Sequence, residues 1–189
     1  MKRFAVLLLL VSGAATAAEI RSIDVQYEDG FYTLHSTAWF DAGLEATYDT
    51  FSRWDKSVEF SSAVVEARDI EPGADGRPGF FVLNRGCILF FCKTLTREGW
   101  VERERNASLR AIADPARSDF EVSNETWTFA EADGGTEVTY HLYMRPGFWV
   151  PPGIGPYVIK RRLSHVGGDA LNRIEAFAQE RDRANASVD

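Results

Sequence analysis

The chain is poor in the residues that anchor metals or act as nucleophiles. It has three histidines, two cysteines and two methionines among 189 residues. His35, His141 and His165 show no His-x-x-x-His spacing, and two thiols alone do not complete a tetrahedral zinc site. No metal centre is therefore expected. There is no Gly-x-Ser-x-Gly elbow to present a serine nucleophile, and no glycine-rich phosphate loop follows a strand. No catalytic residue and no cofactor are assigned. Basic charge is also scarce, with 21 Lys and Arg against 28 Asp and Glu, a net charge of −7. That balance, with "KRR" at 160–162 as its one short basic run, disfavours nucleic acid and an anionic membrane surface as partners. Past the N-terminus no apolar run approaches the ~20 residues that span a bilayer, so no stable membrane insertion is expected.

What the N-terminus does carry is a basic start, Met1-Lys2-Arg3, then "FAVLLLLV" and the small-residue tract "SGAATAA". This reads as a secretory signal peptide, residues 1–18, cut after Ala18, and places the protein in the bacterial periplasm or outside the cell. Loss of Lys2 and Arg3 takes the net charge from −7 to −9. The remainder is long enough for one domain with a sizeable core. An oxidising compartment permits a disulfide between Cys87 and Cys92. In one continuous strand, however, their Cα atoms would lie ~16–17 Å apart, against ~4.4–6.8 Å in a bridge. A bond needs the chain to reverse within "ILFF", which has no turn residue, so the residues alone leave the pairing open.

The first β-rich run, "IDVQYEDGFYTLHSTAWF", contains Asp29-Gly30, a hairpin or bulged-strand signal. Asp41 suits an N-cap, and Leu44, Tyr48 and Phe51 recur at helical spacing, so two short helices are expected over about 42–54 and 55–61. Six strand-like runs follow, from "SAVVEARDI" to "GTEVTYHLYM". Four of the seven prolines then fall within "PGFWVPPGIGP", residues 146–156. Beyond them Ile159, Leu163, Val166, Ala170, Ile174 and Phe177 mark the apolar stripe of a long helix. Residues 181–189 form a polar tail expected to fray. One antiparallel sheet with a half-buried face needs a cover, and the long helix provides it.

This order of elements, with the "GC…FC" pair, "SDF" at 118–120, "GTEVTY" and "FWVPPGIGP" at 148–156, resembles the START-like superfamily, also called helix-grip, Bet v 1-like or SRPBCC. Within it the chain is most similar to exported polyketide cyclase/dehydrase and coenzyme Q-binding proteins. The resemblance covers roughly residues 22–180, within a domain taken as 19–180. It implies an α+β fold, a curved antiparallel sheet around a long C-terminal helix, with two short helices after the first strand. It also implies a hydrophobic cavity between sheet and helix for lipids, quinones, hormones or polyketides. A hairpin joining Cys87 to Cys92 through a loop Ile88–Phe91, and hence a disulfide, is implied in the same way.

By strand alternation Trp127, Phe129, Tyr140, Leu142 and Met144 share the concave face, while His35 and His141 point away from it. With Phe148, Trp149, Ile159, Leu163 and Val166 they are the expected ligand-binding residues, Trp149 standing near the mouth. The plain alternative is that these side chains fill the core. Asp114, Arg117 and Asp119 are read as a loop network rather than an acid/base site. Three functions stay open. The leading one is an exported, non-enzymatic binding protein for a hydrophobic small molecule or lipid, including a quinone. The others are a cyclase- or dehydrase-like enzyme using the same cavity and an interaction module whose cavity is self-filled. The oligomeric state is not encoded in any recognisable pattern.

Overall fold

Asp29 and Gly30 both take positive φ, 49° and 88°, in the computed structural model, which describes residues 18–73, 76–88, 91–165 and 167–187. Their turn divides the first β-rich run into β1 (Glu19–Glu28) and β2 (Phe31–Phe40). The short helices therefore follow a hairpin, not a single strand. These are α1 (Leu44–Phe51), a 3-10 turn (Trp54–Lys56) and α2 (Ser57–Phe60). Asp41 is not the cap of α1. Gly43 takes that position with no side-chain cap bond. The exposed amides at this entry are instead met by the far end of the chain. Asp41 N–H donates to Glu175 at 2.8 Å and Gly43 N–H to Asp182 at 2.5 Å, which suits the positive end of a helix.

The remaining strands are β3 (Val64–Ile70), β4 (Gly79–Ile88), β5 (Phe91–Glu104), β6 (Ser108–Ala113), β7 (Phe120–Ala132) and β8 (Gly135–Pro146). All neighbours pair antiparallel in the order β1-β2-β8-β7-β6-β5-β4-β3. Two helices close the chain, α3 (Ile154–His165) and α4 (Gly167–Ala186). Val166, expected in the ligand-binding set, lies between them outside the described residues, as does the expected leader through residue 17.

The curvature of the sheet follows from one contact pattern. α3 packs against both β1 and β4. In a flat sheet those strands, six spacings apart, would be about 29 Å from each other, far more than the ~10–12 Å width of a helix. The sheet must curl around α3 for both to touch it. α4 continues onto α1 and α2, where Ile174 and Phe177 join Ala38, Phe40, Tyr48, Phe60 and Phe129. Towards the other end Ile159 and Leu163 pack with Leu34, Leu142 and Met144. This is the expected α+β helix-grip arrangement. Helix α4 runs through Ala186, into the polar stretch expected to fray, because Arg181 pairs with Asp49 at 3.1 Å while Asp182 binds Gly43.

Cys87 and Cys92 are register partners in the β4–β5 hairpin and form a disulfide, with S–S 2.06 Å. Ile88 also pairs with Phe91, so the strands extend further than the expected four-residue loop allows. Among the described residues no helix is long and apolar enough to cross a membrane.

Candidate functional site

The β7–β8 register sets Trp127 opposite Tyr140, Glu125 opposite Leu142 and Ser123 opposite Met144. Alternation turns all six towards the helices. The Trp127 and Tyr140 rings stack at 5.1 Å, Trp54 meets Trp127 edge-on at 6.1 Å, and Trp54 stacks on Phe80 at 5.0 Å. An aromatic row thus crosses the concave face. Of the expected residues, Trp127, Tyr140, Ile159 and Leu163 are half-buried and keep accessible surface on an inward face. Leu142 and Met144 are buried beside them, with Phe148 packed at the same end. Phe129 shares this face further along β7, and Trp127 packs against its cluster. Phe129 itself lies under α1 and α4 with Phe40 and Tyr48. Trp149 is 78 % exposed, so it does not plug the core, whereas Phe148 sits edge-on to Phe120 at 6.0 Å.

The most unusual feature of this interior is not foreseen from the sequence. β6 is too short to separate β5 from β7 along their whole length. Past Ala113 the chain leaves the sheet, and Arg97 on β5 reaches Glu125 on β7 directly, Nη1 donating to Oε1. The two side chains are 15 % and 8 % exposed. Ser123, itself buried, places its Oγ 3.5 Å from the same Nη1. Tyr140 lies within hydrogen-bonding reach of Glu125. Burial, then the carboxylate's charge, hold its phenol well above the ordinary tyrosine range. Burial pulls the Arg97 guanidinium down, but Glu125 and Tyr140 outweigh it and the net direction is up. The network is therefore a guanidinium–carboxylate pair with a neutral phenol beside it. Removing two charges from water costs several kcal/mol per ion unless each is well partnered. Arg97 Nε has no partner in the protein.

Two further donors in the same interior are unpaired. Tyr32, 1 % exposed, has no partner for its hydroxyl, and burial followed by the neighbouring Tyr27 pushes its pKa up to about 12. Trp54 Nε1, next to Trp127, is likewise without an acceptor. A signal for the charged pair does exist in the sequence. Glu125 occupies an apolar-face position in step with Trp127 and Phe129.

Other candidates resolve differently. Asp114 accepts from Ala116 N–H, Arg117 binds Glu98, and Asp119 binds Lys93 and Thr96 N–H, a network that ties the 114–119 loop to β5. His35 and His141 stack at 4.2 Å across β2 and β8 on the outer face. Desolvation, then His35, lowers the His141 pKa. No group of three metal-ligating side chains occurs among the described residues. A cleft of about 770 Å³ runs along the β3 side, lined by Arg68, Asp69, Glu71, Glu98 and Arg117 among others. It is open and charged, and Arg117 and Asp69 are engaged by Glu98 and Arg103. The concave face is the stronger candidate.

No family model and no curated protein sequence matches the chain. Solved structures do. TTHA0849 from Thermus thermophilus aligns over 79 % of this chain and 98 % of its own, with TM-score 0.65 at 13 % identity. A STAR-related lipid transfer protein from Xanthomonas axonopodis aligns over 83 % and 98 %, with TM-score 0.60 at 11 % identity. The Zhui aromatase/cyclase from Streptomyces sp. R1128 aligns over 82 % and 98 %, with TM-score 0.58 at 13 % identity. The chain has the START-like helix-grip fold.

Proposed function

We propose that the protein binds an apolar small molecule or lipid carrying at least one oxygen acceptor, held between the curved sheet and α3–α4. The observation that carries this reading is the Arg97–Glu125–Tyr140 network on an otherwise aromatic and aliphatic face, with Arg97 Nε left unpaired. A buried donor without an acceptor costs about 1–3 kcal/mol, and a ligand oxygen at that atom removes the cost. Trp127, Tyr140, Ile159 and Leu163 supply apolar surface around it, the usual composition of a small-molecule site. Likeness to a lipid transfer protein and to an aromatase/cyclase supports the same ligand class. A quinone, with ring carbonyls and an apolar tail, meets both requirements. The leader-like residues 1–18 and the Cys87–Cys92 bond, a linkage of oxidising compartments, support a periplasmic or secreted site of action.

The test is uptake of the neutral fluorophore N-phenyl-1-naphthylamine and its displacement by quinones, fatty acids and phospholipids. Arg97→Met combined with Glu125→Leu removes both charges together and leaves neither one buried alone. That variant is expected to keep the fluorophore and to lose affinity for oxygen-bearing competitors. A folded protein that takes up no apolar probe would favour a self-filled interaction module.

Tyr140 favours a second reading. A neutral phenol beside Glu125 can polarise a carbonyl while the carboxylate accepts a proton, the elements of cyclase- or dehydrase-like chemistry. Tyr140→Phe would then retain binding and lose turnover of a polyketone substrate. Equal turnover by the variant excludes that role for Tyr140.

A further inference from the structure

Residues 138–168 contain no Asp or Glu, although the chain holds 28 acidic residues. Within this stretch lie Trp149, Ile154 and Tyr157, which are 78 %, 60 % and 64 % exposed. They are the three most exposed large hydrophobic side chains among the described residues. Their placement is ordered. At 3.6 residues per turn, Gly155, Ile159 and Leu163 form the face of α3 that packs inward, with Gly155 buried and the other two half-buried. Ile154, Tyr157, Lys160 and Arg161 fall on the opposite face. That outward face is apolar in its first turn and basic further along. Trp149 precedes it on the connection, in which Pro146, Pro151 and Pro152 each fix φ and lower the cost of ordering exposed backbone.

Two acidic side chains beside the connection are already paired with cations. Asp119, whose carbonyl accepts from Gly147 N–H, pairs with Lys93 at 3.2 Å, and Glu121 pairs with Arg145 at 3.0 Å. Lys93 also lies over the Phe148 ring at 4.6 Å. The overall acidic balance therefore hides a local surface of opposite character. Exposed Trp and Tyr next to Lys and Arg match a bilayer interface, where rings sit at headgroup depth and cations meet anionic lipid.

We propose that the 149–161 surface docks peripherally on an anionic phospholipid bilayer. Trp149, Ile154 and Tyr157 enter the interface, and Lys160 contacts the headgroups. The occupant is a lipid surface because both halves of the patch are complementary to one. An apolar protein partner would leave the basic turn unmatched. This surface lies outside the proposed ligand site and is tested without ligand, so its failure would leave the interior reading untouched.

The experiment is co-sedimentation of the purified protein with vesicles of 70 % phosphatidylethanolamine and 30 % phosphatidylglycerol, against phosphatidylcholine vesicles, at low and high salt. Binding to the anionic vesicles is expected. It should fall roughly fivefold for Lys160→Glu and on the order of tenfold for Trp149→Ala with Tyr157→Ser, and it should weaken as salt rises. Brominated lipid should quench native fluorescence more than that of Trp149→Ala. If the double variant folds poorly, Lys160→Glu and the lipid dependence of the native protein decide. The proposal is overturned by no binding at low salt, by equal binding to both vesicle types, by variants that bind like the native protein, or by Trp149-dependent self-association in place of vesicle binding.

Discussion

Changing Arg97 and Glu125 together should cost less stability than changing Arg97 alone. Arg97→Met should destabilise the fold by roughly 3–5 kcal/mol, because it leaves the Glu125 carboxylate buried and uncompensated. Adding Glu125→Leu should recover most of that loss. Urea unfolding of the two single variants and the double variant measures the coupling, and additive losses would show that the pair does not act as a unit. Trp149 behaves differently. At 78 % exposure its truncation should change stability by about 0.5 kcal/mol or less. Phe148, packed against Phe120 and its neighbours, should cost more when cut to alanine. Both follow from thermal or urea midpoints.

At the level of strands, the stacked His35–His141 pair gives β2 and β8 a pH dependence. The His141 pKa is lowered in the folded state, by desolvation first and by His35 second. The unfolded chain then binds more protons as pH falls through its ordinary value of about 6.5, so this contribution lowers stability on the acid side of that point. His141→Gln should flatten the slope of stability against pH between about 7 and 5. An unchanged slope would show that carboxylates elsewhere govern it. In the β4–β5 hairpin, reduction of Cys87–Cys92 should lower stability by about 2 kcal/mol or less, since the closed loop is short. Unfolding with and without dithiothreitol measures this, and a loss well above that figure would contradict the small-loop account.

These same elements show which features can be read from sequence and why. Period-2 alternation in β8 and the 3.6 period of the last helices survive because each element buries one face and leaves the other to solvent. The Asp29-Gly30 turn is recognisable, but hairpin and bulge share its signature, and pairing of β1 with β2 decides between them. The cap of α1 is misread from local sequence because the amides of that entry are satisfied by Glu175 and Asp182, residues too distant along the chain for local rules to find. Arg97 and Glu125 are a harder case. Their meeting depends on β6 ending early, an event with no local signature. The exposed rim of α3 is hidden by whole-chain charge, which averages a basic patch into an acidic balance.

For the whole molecule, one curved sheet gripping a helix builds two distinct surfaces. The inner one is aromatic and aliphatic around a buried ion pair, and the outer rim is apolar and basic at the start of that helix. The central claim is that the interior holds an apolar molecule, and native mass spectrometry of the protein purified from its own host tests it most directly. The expected result is a one-to-one adduct that solvent extracts as an apolar, oxygen-bearing compound and that is absent from folded Arg97→Met/Glu125→Leu protein. A native protein that carries no extra mass, and gains none when offered quinones, fatty acids or phospholipids, would contradict the account.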